Sequence, residues 1–254
     1  MDPTGATPAW PDSYGRVILD EIDSTMREAA RRAPHLTGPT WIMARHQTAA
    51  HGRRGRPWQS PAGNFAATLL LRPDDPPGRA ALRSFSSAVA VYQALSTCIA
   101  AERLSLKWPN DVLLDGGKVA GILLESSGYG TRLNWLAIGI GVNLVAAPDI
   151  AAVEPRALPP VSLKGQGAQA LDAEDLLYRL AVCFAAQEKT FRDFGFDPIR
   201  RLWLRHASHL GQVITARTAR EEITGTFETV DEAGNLVLVT PESRQAIPAA
   251  EVFF

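Results

Sequence analysis

Between Lys107 and Glu125 the chain reads KWPNDVLLDGGKVAGILLE, which sets two lysines, an Asn-Asp pair and a Gly-Gly turn inside strand-like apolar sequence. Lysine is rarely fully buried without a partner. Lys107 and Lys118, on two strands of one short antiparallel unit, therefore point to an anion held between them. The bland alternative is a pair of solvent-facing lysines that discourage edge pairing; the apolar neighbourhoods of both weigh against it. Asp111 offers a carboxylate to Mg²⁺ beside a nucleotide, because Mg²⁺ is held by one or two carboxylates plus phosphate oxygens. On local grounds a plain turn after Pro109 explains Asn110-Asp111 equally well.

A second group lies upstream in HGRRGRPW, His51 to Trp58. Its glycines free the backbone, and arginines such as Arg53 and Arg56 can clamp phosphate or carboxylate with two bonds each. The order G-x-x-x-x-G-K-[ST] of a P-loop is absent. A solvated basic loop is the alternative, and one loop on a chain of net charge −1 is thin support for nucleic-acid binding. Ser24 and Thr25 begin a helix, where they either cap it or present a polar ligand group to its free N–H groups. Gln47 ends a strand and has the donor and acceptor to read an amide-like or ureido group, although a surface glutamine reads the same way. The residues converge on a site for a small anionic compound, most simply a phosphate.

These residues need elements to position them. Arg16–Asp20 reads as a strand, and Thr25-x-x-Glu28 has capping-box spacing for a helix running to Ala33. Trp41–His46 and Asn64–Leu71 are strands, the latter apolar enough to be buried on both faces. Apolar residues at helical spacing predict a helix over Ser84–Ala100. Leu104–Trp108 is extended, because Pro109 biases the preceding residue away from the helical region. Val112–Leu114 pairs with Val119–Glu125 across Asp115-Gly116-Gly117, whose glycines supply positive φ. Leu133–Leu144 is a strand in which Gly139 and Gly141 mark the approach of a ligand or another backbone. Residues 146–170 form a loop, Ala173–Phe194 and Pro198–Ser208 are helices, and the short strands after Leu210 predict a small barrel of about five strands.

The 254 residues are 46% hydrophobic and 21% charged, an ordinary globular composition with no field to draw nucleic acid. Cys98 and Cys183 sit in helix-like apolar sequence and read as buried small hydrophobes. No metal spacing occurs among the cysteines or the five histidines. The start lacks the charge-then-apolar order of a signal peptide, and no apolar run approaches the roughly 20 residues that span a bilayer. A cytoplasmic protein with no membrane partner is expected.

The order DST, HQTAAHGRRGRPWQSPAGN, KWPNDVLLDGGKVAGILLE and IGIGVNL resembles the catalytic domain of biotin protein ligases, and LGQVI with DEAGNLVL resembles that family's small C-terminal domain. The resemblance covers residues 16–254. It implies an α+β fold, a mixed β-sheet flanked by helices as in class II synthetases, with a small C-terminal SH3-like β-barrel. The implied division is a flexible N-terminus over 1–15, a catalytic domain over 16–208 and the barrel over 209–254.

The implied reaction has two steps. Biotin and Mg·ATP give biotinyl-5′-adenylate and pyrophosphate; a lysine of a biotin carboxyl carrier protein domain then displaces AMP. The resemblance assigns Lys118 to the reacting carboxylate and phosphate, and Arg53 to ordering the loop over the adenylate. It puts Ser24, Thr25, Gln47, His51 and Gly52 with Arg53 and Lys118 around biotin. Arg53, Arg56, Trp58, Lys107, Asn110 and Lys118 fall on the ATP side, Asp111 on the metal side. Met26 departs from the asparagine common in the family, losing an amide's donor and acceptor. His51 stands where the usual loop opens with arginine, and a free imidazole titrates near 6.5, so it is no permanent charge.

Lipoate or octanoate ligases and transferases share the fold but carry a longer Gly-rich signature ending in His-Asp, which is missing here. A biotin-sensing repressor would need a helix-turn-helix of some sixty residues, for which the sequence before Arg16 leaves no room. Family members dimerise through the catalytic sheet, and the sequence leaves monomer or homodimer open.

Overall fold

The computed structural model describes residues 9–152 and 156–254. Seven strands form one mixed sheet: β1 (Gly15–Ile22), β2 (Thr40–Gln47), β3 (Phe65–Leu71), β4 (Leu104–Lys107), β5 (Asp111–Leu114), β6 (Gly117–Tyr129) and β7 (Arg132–Val142). Their order is β1-β2-β3-β7-β6-β5-β4. β1 and β2 are parallel because helix α1 (Thr25–Arg32) carries the chain back between them; every other pair in the sheet is antiparallel.

Period-2 patterning distributes the side chains between the faces. Trp41 and Met43 on β2, with Phe65, Ala67 and Leu69 on β3, enter the main core. Ile42, Leu70 and Ala137 point the other way and meet Met26 and Ala29 of α1 and its C-cap Ala33. The main core lies under α3 (Arg83–Leu95), which follows the short α2 (Pro77–Ala81), and under α4 (Ala173–Phe194) and α5 (Phe196–Arg205). On this side Arg83, 2% exposed, reaches Glu188 at 2.8 Å and Asp75 at 2.7 Å. A buried guanidinium requires such partners.

Five further strands, β8 (Val213–Arg217), β9 (Glu222–Val230), β10 (Leu236–Val239), β11 (Arg244–Ile247) and β12 (Glu251–Phe253), form an antiparallel sheet ordered β11-β10-β9-β8-β12. Its Ile214, Phe227, Leu236 and Leu238 join the main core, and Trp108 Nε1 donates to Gly234 O at 3.0 Å. The C-terminal sheet is thus packed firmly beside the KWPND segment.

Several local expectations need correction. The cap of α1 is Ser24, whose Oγ accepts from Arg27 N, and not Thr25. Glu28 pairs with Arg31 and Arg32 because Thr25 is turned toward Gln47 and Thr68. α3 stops at Leu95, five residues early, where Ser96 and Thr97 hydroxyls bond back to carbonyls of the preceding turn. Cys98 therefore lies beyond the helix and is only partly buried, whereas Cys183 is buried in α4; both are free thiols. α5 spans Phe196–Arg205 where Pro198–Ser208 is expected. In the β5–β6 turn the positive φ belongs to Asp115 and Gly116, at 50° and 78°. Gly117 has another reason: a Cβ there would lie 2.4 Å from Val161.

Residues 1–8 of the expected flexible segment lie outside the described residues. Those after it are packed: Trp10 Nε1 donates to Tyr14 O at 2.6 Å, and the Trp10 ring meets Tyr178 of α4 edge-on.

Candidate active site

The face of the sheet that carries α1 is covered by that helix over only part of its width. Beside α1, small residues form the floor of a cavity of about 620 Å³: Gly139 and Gly141 on β7, and Gly121 on β6, which pairs with Gly141. Glycine is required at two of these positions by side chains that lean over them. A Cβ on Gly141 would lie 2.7 Å from the Trp58 ring, and one on Gly139 would lie 2.7 Å from Met26 Sδ. The close approach expected at these glycines is thus made by two side chains of the cavity wall, not by another backbone.

One end of the cavity is polar and neutral. Gln47 Oε1 accepts from Thr25 N at 2.8 Å and from Thr25 Oγ1 at 3.1 Å, and Thr68 Oγ1 donates to Thr25 Oγ1 at 2.9 Å. The Gln47 oxygen is consumed, so its NH₂ is what the side chain can still offer. Ser24 lines the same end and is 1% exposed. Asp23 accepts from Ser24 N and pairs with Arg31, whose guanidinium holds the carboxyl well below the usual carboxylate range. Met26 lines this end while packing beneath α1.

The other end is cationic. Lys118 Nζ sits 2.7 Å from Asp111 Oδ1 and 5.6 Å from the Trp58 ring centre. Its ammonium is therefore already paired, where the sequence left it free to project. Arg53 donates to Asn110 Oδ1 at 3.2 Å, and Asn110 Nδ2 donates to Ile122 O at 2.6 Å. Burial pushes the Arg53 guanidinium below its ordinary pKa, and the nearby Asp111 opposes that. Lys107 also lines the cavity; burial lowers its pKa, with Asp111 pulling the other way.

The loop from Ala50 to Trp58 closes over this end as a compact turn. Gly52 N bonds Arg56 O at 2.7 Å and Trp58 N bonds Ala50 O at 3.0 Å. His51 Nε2 lies 2.9 Å from Glu125 Oε1. Arg54 and Arg56 reach across to Glu251 of β12 at 3.0 and 2.6 Å, and Arg217 of β8 binds the other oxygen of the same carboxylate. The Glu251 carboxyl is partly buried, which raises its pKa, but bonds from Arg217 and Arg56 prevail and bring it down to about 2. Arg56, expected beside a phosphate, is engaged here with the C-terminal sheet.

All twelve residues expected at the site line this one cavity. Sequence reasoning missed Asn143, which also lines it; Asn143 Nδ2 donates to Val161 O at 3.1 Å while its buried Oδ1 has no hydrogen-bond partner. It stands in the IGIGVNL stretch, where polarity after an apolar strand was the available signal. It also missed Glu251, whose role depends on a contact almost 200 residues distant in sequence. No cluster of three metal-binding side chains occurs among the described residues; the carboxylates that line the cavity are Asp111, paired with Lys118, and Glu251, held by the loop arginines. A carboxylate such as Asp111 fits Mg²⁺ that arrives with phosphate oxygens.

Residues 18–143 match the biotin/lipoate A/B protein ligase family, and residues 209–254 match the biotin protein ligase C-terminal domain. The chain is 54% identical to the biotin–[acetyl-CoA-carboxylase] ligase of Paracoccus denitrificans, over 93% of this chain and 99% of that one. It is 32% identical to the bifunctional ligase/repressor BirA of Bacillus subtilis, over 93% of this chain and 73% of that protein. Among solved structures, the biotin protein ligase of Aquifex aeolicus in complex with biotin and ATP superposes with a TM-score of 0.78 at 25% identity, covering 94% of this chain and 97% of that one. With a cavity neutral and hydrogen-bonding at one end and cationic at the other, the chain belongs to the biotin protein ligase family.

Proposed function

We propose that the cavity holds biotin at its Thr25–Gln47 end and ATP at its Lys107–Asn110 end, so that the carboxylate and the α-phosphate meet beside Lys118 and Arg53. The chain is an ATP-dependent ligase that converts biotin to biotinyl-5′-AMP and passes it to a lysine of a carrier protein. The observation that carries the residue assignment is the pairing of Lys118 with Asp111 at 2.7 Å next to Arg53 on Asn110. Two anions must approach for the first step, and fixed cations in a low-dielectric site lower that repulsion without reorganising.

In the first step a carboxylate oxygen attacks the α-phosphorus and pyrophosphate leaves, giving a mixed anhydride. Lys118 and Arg53 lie where charge builds on the α-phosphate, and Asp111 orients the lysine ammonium. In the second step the amine of the carrier lysine attacks the acyl carbon and AMP leaves. Gln47, Thr25 and Ser24 give the ureido group donors and acceptors, with Met26 and the glycine floor enclosing the ring. His51 and Gly52 shape the loop over the biotin carboxylate. Arg56, Trp58 and Lys107 complete the nucleotide side, and Asp111 is the carboxylate available to the Mg²⁺ carried by ATP.

The acceptor in this reading is the biotin carboxyl carrier domain of a carboxylase, as the name of the Paracoccus relative implies for that protein. The division into units at 16–208 and 209–254 is supported by the separate seven- and five-stranded sheets. Among the described residues no helix is long and apolar enough to cross a membrane; the need for ATP and a carrier supports a cytoplasmic reading. A homodimer would use β1, an edge strand paired only to β2, and sedimentation velocity checks it.

Incubated with Mg·ATP and biotin, the protein should release pyrophosphate and label a carrier domain. Labelling with lipoate or octanoate but not with biotin would refute the substrate assignment.

A further inference from the structure

Lys107 is the one cavity lysine whose ammonium meets no carboxylate within ion-pairing distance among the described residues. Its Nζ instead lies 4.9 Å from the ring centre of Phe254, just past β12. His209 stacks on the same ring at 3.7 Å with planes 16° apart, and His209 Nδ1 is 2.7 Å from Ser208 Oγ. His209 has a φ of 61°, in the left-handed region that non-glycine residues adopt infrequently. Burial and the nearby Lys107 both lower the His209 pKa, which favours a neutral ring in the stack.

We infer that Phe254 is a positioning residue: stacked with His209, its ring holds the Lys107 ammonium in place for the phosphates of ATP. The inference rests on the placement of Lys107 on the nucleotide side. A lysine side chain has four rotatable bonds, and ordering it on binding costs conformational entropy. A ring face within about 6 Å attracts the ammonium and orders it before the nucleotide arrives, without the neutralisation that a carboxylate would bring. The C-terminal sheet thereby contributes to the nucleotide site through an aromatic ring, besides the Glu251 contact with the loop.

The test measures KM for ATP and for biotin, with melting temperature, in Phe254→Leu, Phe254→Trp and Lys107→Met. Phe254 is 44% exposed, so leucine there leaves folding intact. Phe254→Leu should raise the ATP KM roughly fivefold, the scale of a partly desolvated cation–π contact, with biotin KM and melting temperature unchanged. Phe254→Trp should restore wild-type behaviour, and Phe254→Leu should add nothing in the Lys107→Met background. If Lys107→Met raises the ATP KM but Phe254→Leu does not, the inference fails and the nucleotide assignment stands. If Lys107→Met leaves the ATP KM unchanged, both fail. A parallel rise in both KM values with a lower melting temperature would mark Phe254 as structural and overturn the inference.

Discussion

Glu251 on β12 and Arg56 in the arginine-rich loop lie 2.6 Å apart, so a carboxylate of the C-terminal sheet holds the loop that roofs the catalytic cavity. Arg54 and Arg217 converge on the same carboxylate. The cationic loop is therefore not free in solution to find a phosphate. It is kept near the cavity by the Glu251 carboxylate.

That carboxylate makes stability depend on pH. Its pKa falls from an ordinary 4.5 to about 2 on folding, so it stabilises the fold above about pH 4.5 and loses that contribution as pH drops toward 2. The full shift corresponds to about 3 kcal/mol, an upper bound at a site whose carboxylate is 16% exposed. Glu251→Gln should lower stability at pH 7 and flatten the loss between pH 5 and pH 2. Urea titrations at several pH values check it, and equal acid sensitivity in both proteins would rule out the linkage. The same variant should leak adenylate into solution faster, because its loop has lost its hold.

Lys118→Ala should reduce both pyrophosphate release and carrier labelling by at least about a hundredfold, the scale of removing a preorganised charge from a developing anion. Lys118→Arg should recover part of the loss. Steady-state assays of each half-reaction check this. Near-normal rates in the alanine variant would remove Lys118 from the chemistry.

The glycine floor is tested by methyl groups. A Cβ at Gly141 meets the Trp58 ring at 2.7 Å, and that ring is carried on the loop whose Trp58 N bonds Ala50 O, so it can retreat only by disturbing the loop. At Gly139 the obstacle is the Met26 thioether, a flexible chain end. Gly141→Ala should therefore cost roughly tenfold or more in kcat/KM and 1–3 kcal/mol in stability. Gly139→Ala should act mainly on biotin KM, and Met26→Ala should relieve it. Kinetics and thermal melts of the single and double variants check the contrast.

The Arg83–Glu188–Asp75 cluster lies on the opposite side of the sheet from the cavity. Glu188→Ala leaves a guanidinium that is 2% exposed with half its partners gone, which should cost about 3–5 kcal/mol. At a temperature where the variant is folded, its KM values for biotin and ATP should match wild type. Denaturant unfolding and steady-state kinetics decide it.

Much of this site was legible before any coordinates. Lys107 and Lys118 read as residues on two strands of one antiparallel unit with an anion between them; the structure sets β5 between their strands, with Lys107 in register with Asp111 and Lys118 with Leu113. Gln47 and Thr25 could be named but not joined, because a hydrogen bond across 22 residues leaves no local pattern. The end of α3 was missed because Ser96 and Thr97 are compatible with helix until their hydroxyls bond backwards.

By itself the sequence determined which strands are buried, the cavity's residue types and the family, since these follow from periodicity and from motif spacing along a single chain. Tertiary structure alone decided how the charges are paired. Lys118 is bound to Asp111, Arg56 to Glu251, and Lys107, with no carboxylate within ion-pairing distance among the described residues, faces the ring of Phe254. An ion pair is set by distance in space and by local burial, and neither is written in the spacing of residues along the chain.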